Sequence, residues 1–358
     1  MKKLDHCYDE LISFSNLYLA YGKAARGKRG RSTTATFDFH LEENLWQLHD
    51  ELKGQTYSPG AYHSFYIRDP KHRLVSAAPF RDRVVHHALC NLIEPIFERT
   101  FIGDSYANRL GKGTHKALDR AQKFARQYPY VLQCDIRKFF PSIDHAVLSK
   151  ILARKISDEK TLWLCDQIIQ SGKDVLREEY EMHYFAGDNL LAANRPRGLP
   201  IGNLTSQFWA NVYLNELDQF VKRKLQAKAY LRYVDDFLLF AEDKKTLWKW
   251  KQAIGQFLGT LRLIMHKGSS TVYPIKTGIP FLGFRLYPSY RLLKRKNGQA
   301  FAHRMRRWRG ELARGEIDLQ KLDECVQGWV AHVAHGNTWG LRRSLLSSTL
   351  PSRIRVRG

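Results

Sequence analysis

Hydrophobic and polar positions change period several times along the chain, and each change predicts an element. From Phe37 to Leu52 the apolar residues recur at helical spacing, and from Tyr57 to Leu74 they alternate around turn residues as in a β-hairpin. Residues 82 to 98 return to helical spacing, with Val84, Val85, Leu89, Leu92, Ile93 and Ile96 on one stripe, which predicts a buried helix. Tyr130 to Cys134 reads as a short strand ending at Asp135; Pro141 and Ser142 interrupt, and a helix restarts from Asp144 to Leu152. The long stretch from Leu204 to Leu225 predicts a helix with Phe208, Trp209, Val212, Leu214, Leu217, Phe220 and Val221 facing inward. Between Leu231 and Phe240 two apolar runs flank Asp235 and Asp236, so the acids fall at the bend of a hairpin. Strands separated by helices suit a sheet with helices packed on one face, an α+β arrangement. Nine Lys or Arg and no acid occupy Arg285 to Arg309, and Leu312 to Leu346 alternates basic and apolar positions at helical spacing. Those two stretches predict a small basic helical module.

Charge narrows the partner. The 358 residues carry 58 Lys and Arg against 35 Asp and Glu, a net charge of +23, while 44% hydrophobic content is that of a folded protein. Such an imbalance points to a polyanion. A membrane is not expected, because no apolar run approaches about 18 residues and no amphipathic anchor stands out. Met1-Lys2-Lys3-Leu4-Asp5-His6 has no apolar signal region, so the expected location is the cytoplasm. Five cysteines, Cys7, Cys90, Cys134, Cys165 and Cys325, are odd in number and form no C-x-x-C pair, which predicts reduced thiols rather than zinc ligands or disulfides. The run Lys23 to Arg31, with five basic residues in nine, reads either as a solvated loop or as a phosphate contact.

Two adjacent carboxylates in an apolar hairpin are either an ordinary polar turn or the ligands of divalent cations, whose hard charge neutralises their repulsion. Asp135, 100 residues before Asp235, is either a strand-end cap or a third ligand. Arg197-Gly198-Leu199-Pro200-Ile201-Gly202-Asn203 is a glycine-rich turn that opens the long helix, where backbone can approach a base pair and the helix N-terminus favours phosphate.

In that order, these segments resemble reverse transcriptases. Tyr233-Val234-Asp235-Asp236 is similar to their catalytic hairpin, and Asp135-Ile136-Arg137-Lys138-Phe139-Phe140 to their first catalytic motif. The resemblance implies a right-hand polymerase fold of fingers, palm with an antiparallel sheet, and helical thumb. Its expected divisions are a basic extension and start of the fingers at 1–60, fingers at 61–129, palm at 130–284 with a fingers insertion around 150–200, and thumb at 285–358. It implies two Mg²⁺ ions, replaceable by Mn²⁺, held by Asp135, Asp235, Asp236 and the carbonyl of Ile136. Phe140 would lie beneath the sugar and exclude a ribose 2′-hydroxyl. Arg73 would clamp the triphosphate, Ile201, Gly202 and Gln207 would face the nucleotide, and Lys267 would protonate pyrophosphate. Tyr233 and the turn Phe281-Leu282-Gly283 would contact primer and template. Arg81-Asp82-Arg83 adds two guanidinium groups, of which Arg83 is expected to be structural, paired with Asp82 or another acid.

Most reverse transcriptases have Gln at the position of Ile201 and Ser-Pro at Ser206-Gln207. Ile201-Gly202-x-x-x-Ser206-Gln207 resembles instead the enzymes of diversity-generating retroelements, as do His87-Ala88-Leu89-Cys90-Asn91, Lys112-Gly113-Thr114-His115 and Phe281-Leu282-Gly283-Phe284. That family copies template RNA into cDNA with frequent errors at template adenines. It implies a bacterial, archaeal or phage-encoded enzyme, deoxynucleoside triphosphates as substrates, and a small basic oligomeric accessory protein. No RNase H region is expected. The rivals are a reverse transcriptase of a group II intron, retron or defence system, a metal-dependent nuclease, and a non-catalytic nucleic-acid-binding relative.

Overall fold

The structure, a computed structural model, describes residues 4–67 and 72–347. Four helices open it: α1 (Tyr8–Ile12), α2 (Phe14–Ala25), α3 (Ser32–Phe39) and α4 (Leu41–Lys53). The single helix expected over Phe37–Leu52 is therefore two, broken at His40, whose φ of −114° and ψ of 41° leave the helical region. The hairpin that follows has strands β1 (His63–Ile67) and β2 (Arg73–Ala77), in register from His63 opposite Ala77 to Ile67 opposite Arg73. Its tip, residues 68–71, lies outside the described residues. Helix α5 (Phe80–Glu98) packs against α2 through the predicted stripe, with Val84, Val85, Leu89 and Ile93 wholly buried.

Next come α6 (Thr114–Gln127), β3 (Tyr130–Cys134), α7 (Phe139–Ser142), α8 (His145–Ala153), α9 (Glu159–Ser171) and α10 (Leu204–Arg223). The acid at each start matters: Asp144 caps α8 by accepting from Val147 N, and Asp158 caps α9 by accepting from Thr161 N. Strands β4 (Tyr230–Tyr233) and β5 (Asp236–Ala241), helix α11 (Lys244–Thr260) and β6 (Thr271–Pro274) complete a four-stranded antiparallel sheet in the order β4-β5-β3-β6.

Alternation along these strands decides what each face buries. Leu132, Cys134, Tyr230, Phe237 and Leu239 join one large core with residues of α5, α10 and α11. Val131, Leu231, Leu238 and Phe240 point the other way, onto Ala117, Leu118 and Ala121 of α6 and onto a second sheet. That sheet is β7 (Ile279–Phe281), β8 (Phe284–Leu286) and β9 (Arg291–Leu293), in order β7-β8-β9. Helices thus cover one face as expected, but the other face is covered too, because its strand residues are as apolar as those of the first.

Arg285 to Leu293, expected to open the helical module, supplies two of these strands. Helices follow only from α12 (Arg295–Ala313), through α13 (Leu319–Val333) to α14 (Trp339–Ser347). They close on their own small core, where Phe301 stacks on Trp329 at 3.7 Å between ring centroids. Among the described residues no helix is long and apolar enough to cross a membrane. All five cysteines are free thiols.

Candidate active site

The antiparallel register builds the site. Cys134 lies opposite Phe237, so one further step along the same register sets Asp135 beside Asp236. Tyr233 pairs with Asp236, which leaves Val234 and Asp235 as a two-residue loop between β4 and β5. All three acids therefore gather at one end of the sheet, each half-buried. Val234 takes φ +54°, a left-handed value that a β-branched residue rarely adopts.

A buried guanidinium holds that turn. Arg232 N–H groups reach the Val234 carbonyl at 3.0 Å and the Asn211 side-chain oxygen at 3.2 Å. The rest of the fork donates to both oxygens of Asp218 on α10, at 2.8 and 2.7 Å, and Tyr230 O–H donates to the same carboxylate at 2.6 Å. Burial opposes the arginine charge, yet the Asp218 carboxylate carries its pKa above the ordinary value. The sequence carried a signal for this pair. Alternation puts Arg232 on the core-facing side with Tyr230, and Asp218 interrupts the inward stripe of α10; two polar breaks facing one core must meet.

Asp135 is braced from behind. Its carbonyl accepts from His266 N at 2.8 Å, its amide donates to the Ser270 hydroxyl at 3.4 Å, and Arg137 N donates to the Ile264 carbonyl at 2.8 Å. Ile136, buried, forms an isolated bridge with Met265. Lys267 lies one residue past His266 and is exposed, on the segment that braces Asp135. Burial pushes the neighbouring Cys134 thiol up to about 12, so it stays protonated.

The glycine-rich turn is stitched to both neighbours. Leu199 N donates to the Phe140 carbonyl at 3.0 Å and Gly198 N to the Ile143 carbonyl at 2.8 Å. Ser76 N donates to the Ile201 carbonyl at 2.8 Å, and the Asn203 side chain binds Ala78 N at 3.0 Å and the Ser76 carbonyl at 2.8 Å. Gly202 has φ +115°, and a Cβ there would lie 2.9 Å from Val75 Cγ1, so only glycine allows β2 this close. Arg73, at the start of β2, is exposed on the hairpin that this turn anchors. Phe140 is half-buried with its ring 5.4 Å from that of Phe139, which is core. Gln207 is exposed on the first turn of α10 while Ser206 is buried.

On the other face, Tyr233 and Leu282 pack against the second core. The Tyr233 hydroxyl lies 3.0 Å from Thr114 Oγ1. Leu282 and Gly283 form the β7–β8 turn, with φ +42° and +87°, and the Gly283 carbonyl accepts from Lys294 N at 3.0 Å, tying the turn to α12. Phe281 is a core residue, 1% exposed, which leaves the turn surface to Leu282 and Gly283. Arg83 is structural through a different partner from the acid expected: its Nε donates to the Ala78 carbonyl at 2.8 Å. Arg81 pairs with Glu51, while Asp82 accepts from Tyr57 O–H and Gly60 N, each at 2.8 Å.

Sequence reading missed three supports besides the Arg232 network. Asn203 ties the turn to β2, Ser270 touches the Asp135 amide, and Asp144 joins Arg195 at 2.8 Å and Arg262 at 3.2 Å beneath the turn. Hydrogen bonding to Asp144 lifts the Arg195 pKa. Among the described residues no group of three or more His, Cys, Asp or Glu side chains is arranged to hold a metal ion. The donors at the sheet end are carboxylates, the chemistry hard divalent cations select.

Comparison with known proteins gives the frame for this arrangement. The chain is 27% identical over 289 residues to Protein YkfC of Escherichia coli K12, covering 69% of this chain and 72% of that protein. It is 27% identical over 213 residues to the group II intron-encoded protein LtrA of Lactococcus lactis, covering 59% of this chain and 33% of LtrA. Apo telomerase from Candida tropicalis aligns over 71% of this chain and 60% of its own, with 13% identity and a TM-score of 0.46. The family described as reverse transcriptase (RNA-dependent DNA polymerase) matches residues 67–286, more than half of the chain and all of the sheet end described above. The chain belongs to the reverse transcriptase family, the RNA-directed DNA polymerases.

Proposed function

We propose that this reverse transcriptase builds DNA on an RNA template at Asp135, Asp235 and Asp236, and that its copying is error-prone at template adenines. The observation that carries the first part is the strand register, which supports three carboxylates acting on one substrate. Reverse transcriptases use divalent metal ions; Mg²⁺ is proposed here, with the three acids and the Ile136 carbonyl as its ligands. A bound metal pair supplies acidification of the primer hydroxyl and charge stabilisation of the departing pyrophosphate.

This chain's own groups do the rest. Phe140, joined to the glycine turn by its carbonyl, would exclude a 2′-hydroxyl by bulk. Arg73 offers two donors to a phosphate. Lys267, on the segment that braces Asp135, is the proposed proton donor to pyrophosphate. Ile201 supports the subtype: its side chain offers no hydrogen bond where a Gln amide would help orient the incoming nucleotide, so mispairs are rejected less strongly. A small basic accessory protein that helps engage structured template RNA, and a cytoplasmic location, belong to the same proposal.

A second reading has a specific observation in its favour. The match to LtrA, whose name is that of a group II intron-encoded protein, favours an intron-encoded enzyme. One experiment separates the two. Purified protein, with and without the accessory partner, receives template RNA, Mg²⁺ and deoxynucleotides, and the cDNA is sequenced. Errors concentrated at template adenines support the diversity-generating reading, whereas faithful copying there removes it and leaves the polymerase.

A further inference from the structure

A second concave surface adjoins the candidate active site. Helix α11, residues 263–270, and His183 with Phe185 line an open cleft of about 750 Å³. Lys245, Lys249, Lys251 and Lys267 stand around it, and among the described residues no Asp or Glu lines it. Within this cationic frame Trp248 is 51% exposed, on the same helix face as Lys245 and Lys249. The Lys251 ammonium lies 4.7 Å from the Trp248 ring centroid and donates to the Ser270 carbonyl at 2.6 Å.

The helix leaves room here. Gly255 and Gly259 line the cleft, and a Cβ added at either would meet no atom within 4 Å. Glycine inside a helix is less favourable than alanine, and packing among the described residues gives no reason for it at these positions. A stretch of helix without side chains admits a flat ring. Aromatic groups from two segments, with cations among them and no acid, match the recognition of an unpaired nucleic-acid strand, where bases stack and phosphates meet cations. A protein partner would need complementary acids but gains nothing from the bare stretch of helix.

We propose that this cleft binds single-stranded RNA, a stretch of template outside the polymerase site, with a base stacked on Trp248 and phosphates on Lys245 and Lys249. The proposal rests on the RNA-copying reading above, which supplies RNA rather than DNA as the strand present in excess length. Ser270 belongs both to the cleft and to the brace of Asp135, so RNA held here abuts the synthesis site.

The test loads the full-length protein with a saturating short RNA–DNA hybrid ending in a dideoxynucleotide, then adds a fluorescein-labelled 20-nucleotide RNA. Wild type is expected to bind the second RNA, and Trp248→Ala combined with Lys245→Glu and Lys249→Glu to bind it about tenfold more weakly or worse. The same variant is expected to extend an unblocked short primed template at the wild-type rate. Unchanged affinity in the variant or full competition by the hybrid would overturn the proposal. Failure of wild type to extend the short template would instead count against the polymerase reading.

Discussion

Arg232 and Asp218 form a two-pronged ion pair with both side chains 0% exposed, and the same guanidinium grips the carbonyl of Val234 in the Asp235 turn. The pair links α10 to the turn that carries the acids. Removing one partner strands the other charge in the core. Asp218→Ala is therefore expected to lower the unfolding free energy by about 3–5 kcal/mol, read by urea titration. Arg232→Lys keeps the charge but not the fork, so it is expected to reduce kcat more than KM; a KM change alone would contradict the positioning role.

Phe140 joins the first motif to the glycine turn while keeping part of its ring outside the core. If that ring excludes the ribose hydroxyl, Phe140→Ala should raise ribonucleotide incorporation relative to deoxynucleotide by about tenfold or more. Primer extension with each nucleotide type gives the ratio, and an unchanged ratio would remove Phe140 from sugar selection.

Ile201 is fixed by its backbone, since its carbonyl accepts from Ser76 N, so its side chain can be exchanged without unstitching the turn. Ile201→Gln is expected to lower misincorporation opposite template adenine, measured by sequencing cDNA from one template. An unaltered adenine error rate would sink the proposed link.

Acid should destabilise the fold through two histidines of α5. Burial chiefly depresses His86 to about 3 and His87 to about 4, the latter helped by Lys28 and Lys23. Both regain a value near 6.5 on unfolding, so the unfolded chain binds more protons below that pH. Their contribution is complete above about pH 6.5 and is lost as pH falls toward 4 and then 3. For His86 this amounts to about 1 kcal/mol between pH 6.5 and 5.5. Urea midpoints measured across that interval should fall in wild type and fall less in His86→Gln; equal slopes would contradict it.

How far the sequence reveals this molecule depends on the length of its patterns. The hairpin around Asp235, the β3 strand and α10 are legible because apolar runs and helical spacing last for four residues or more. The second sheet is not, because β7, β8 and β9 have three residues each, too few to establish a period. Nor is the break at His40, where no Pro or Gly marks the end of α3. At the site, the acids and the glycine turn could be named through the resemblance of their motifs, in that order, to those of reverse transcriptases. Asn203, Ser270 and Asp144 could not, because their partners lie far away in sequence: 125 residues for the Ala78 contact and 135 for the Asp135 contact. Only Arg232 and Asp218 announce themselves, as polar residues on stripes that should be apolar.

The most direct test of the central claim is primer extension on an RNA template with deoxynucleotides and Mg²⁺, comparing wild type with Asp235→Ala at matched thermal stability. Asp235 sits in the two-residue loop between β4 and β5, so the variant should fold. The expected result is DNA synthesis by wild type and none detectable by the variant. Undiminished synthesis by Asp235→Ala would contradict the assignment of the carboxylate hairpin as the site of nucleotidyl transfer.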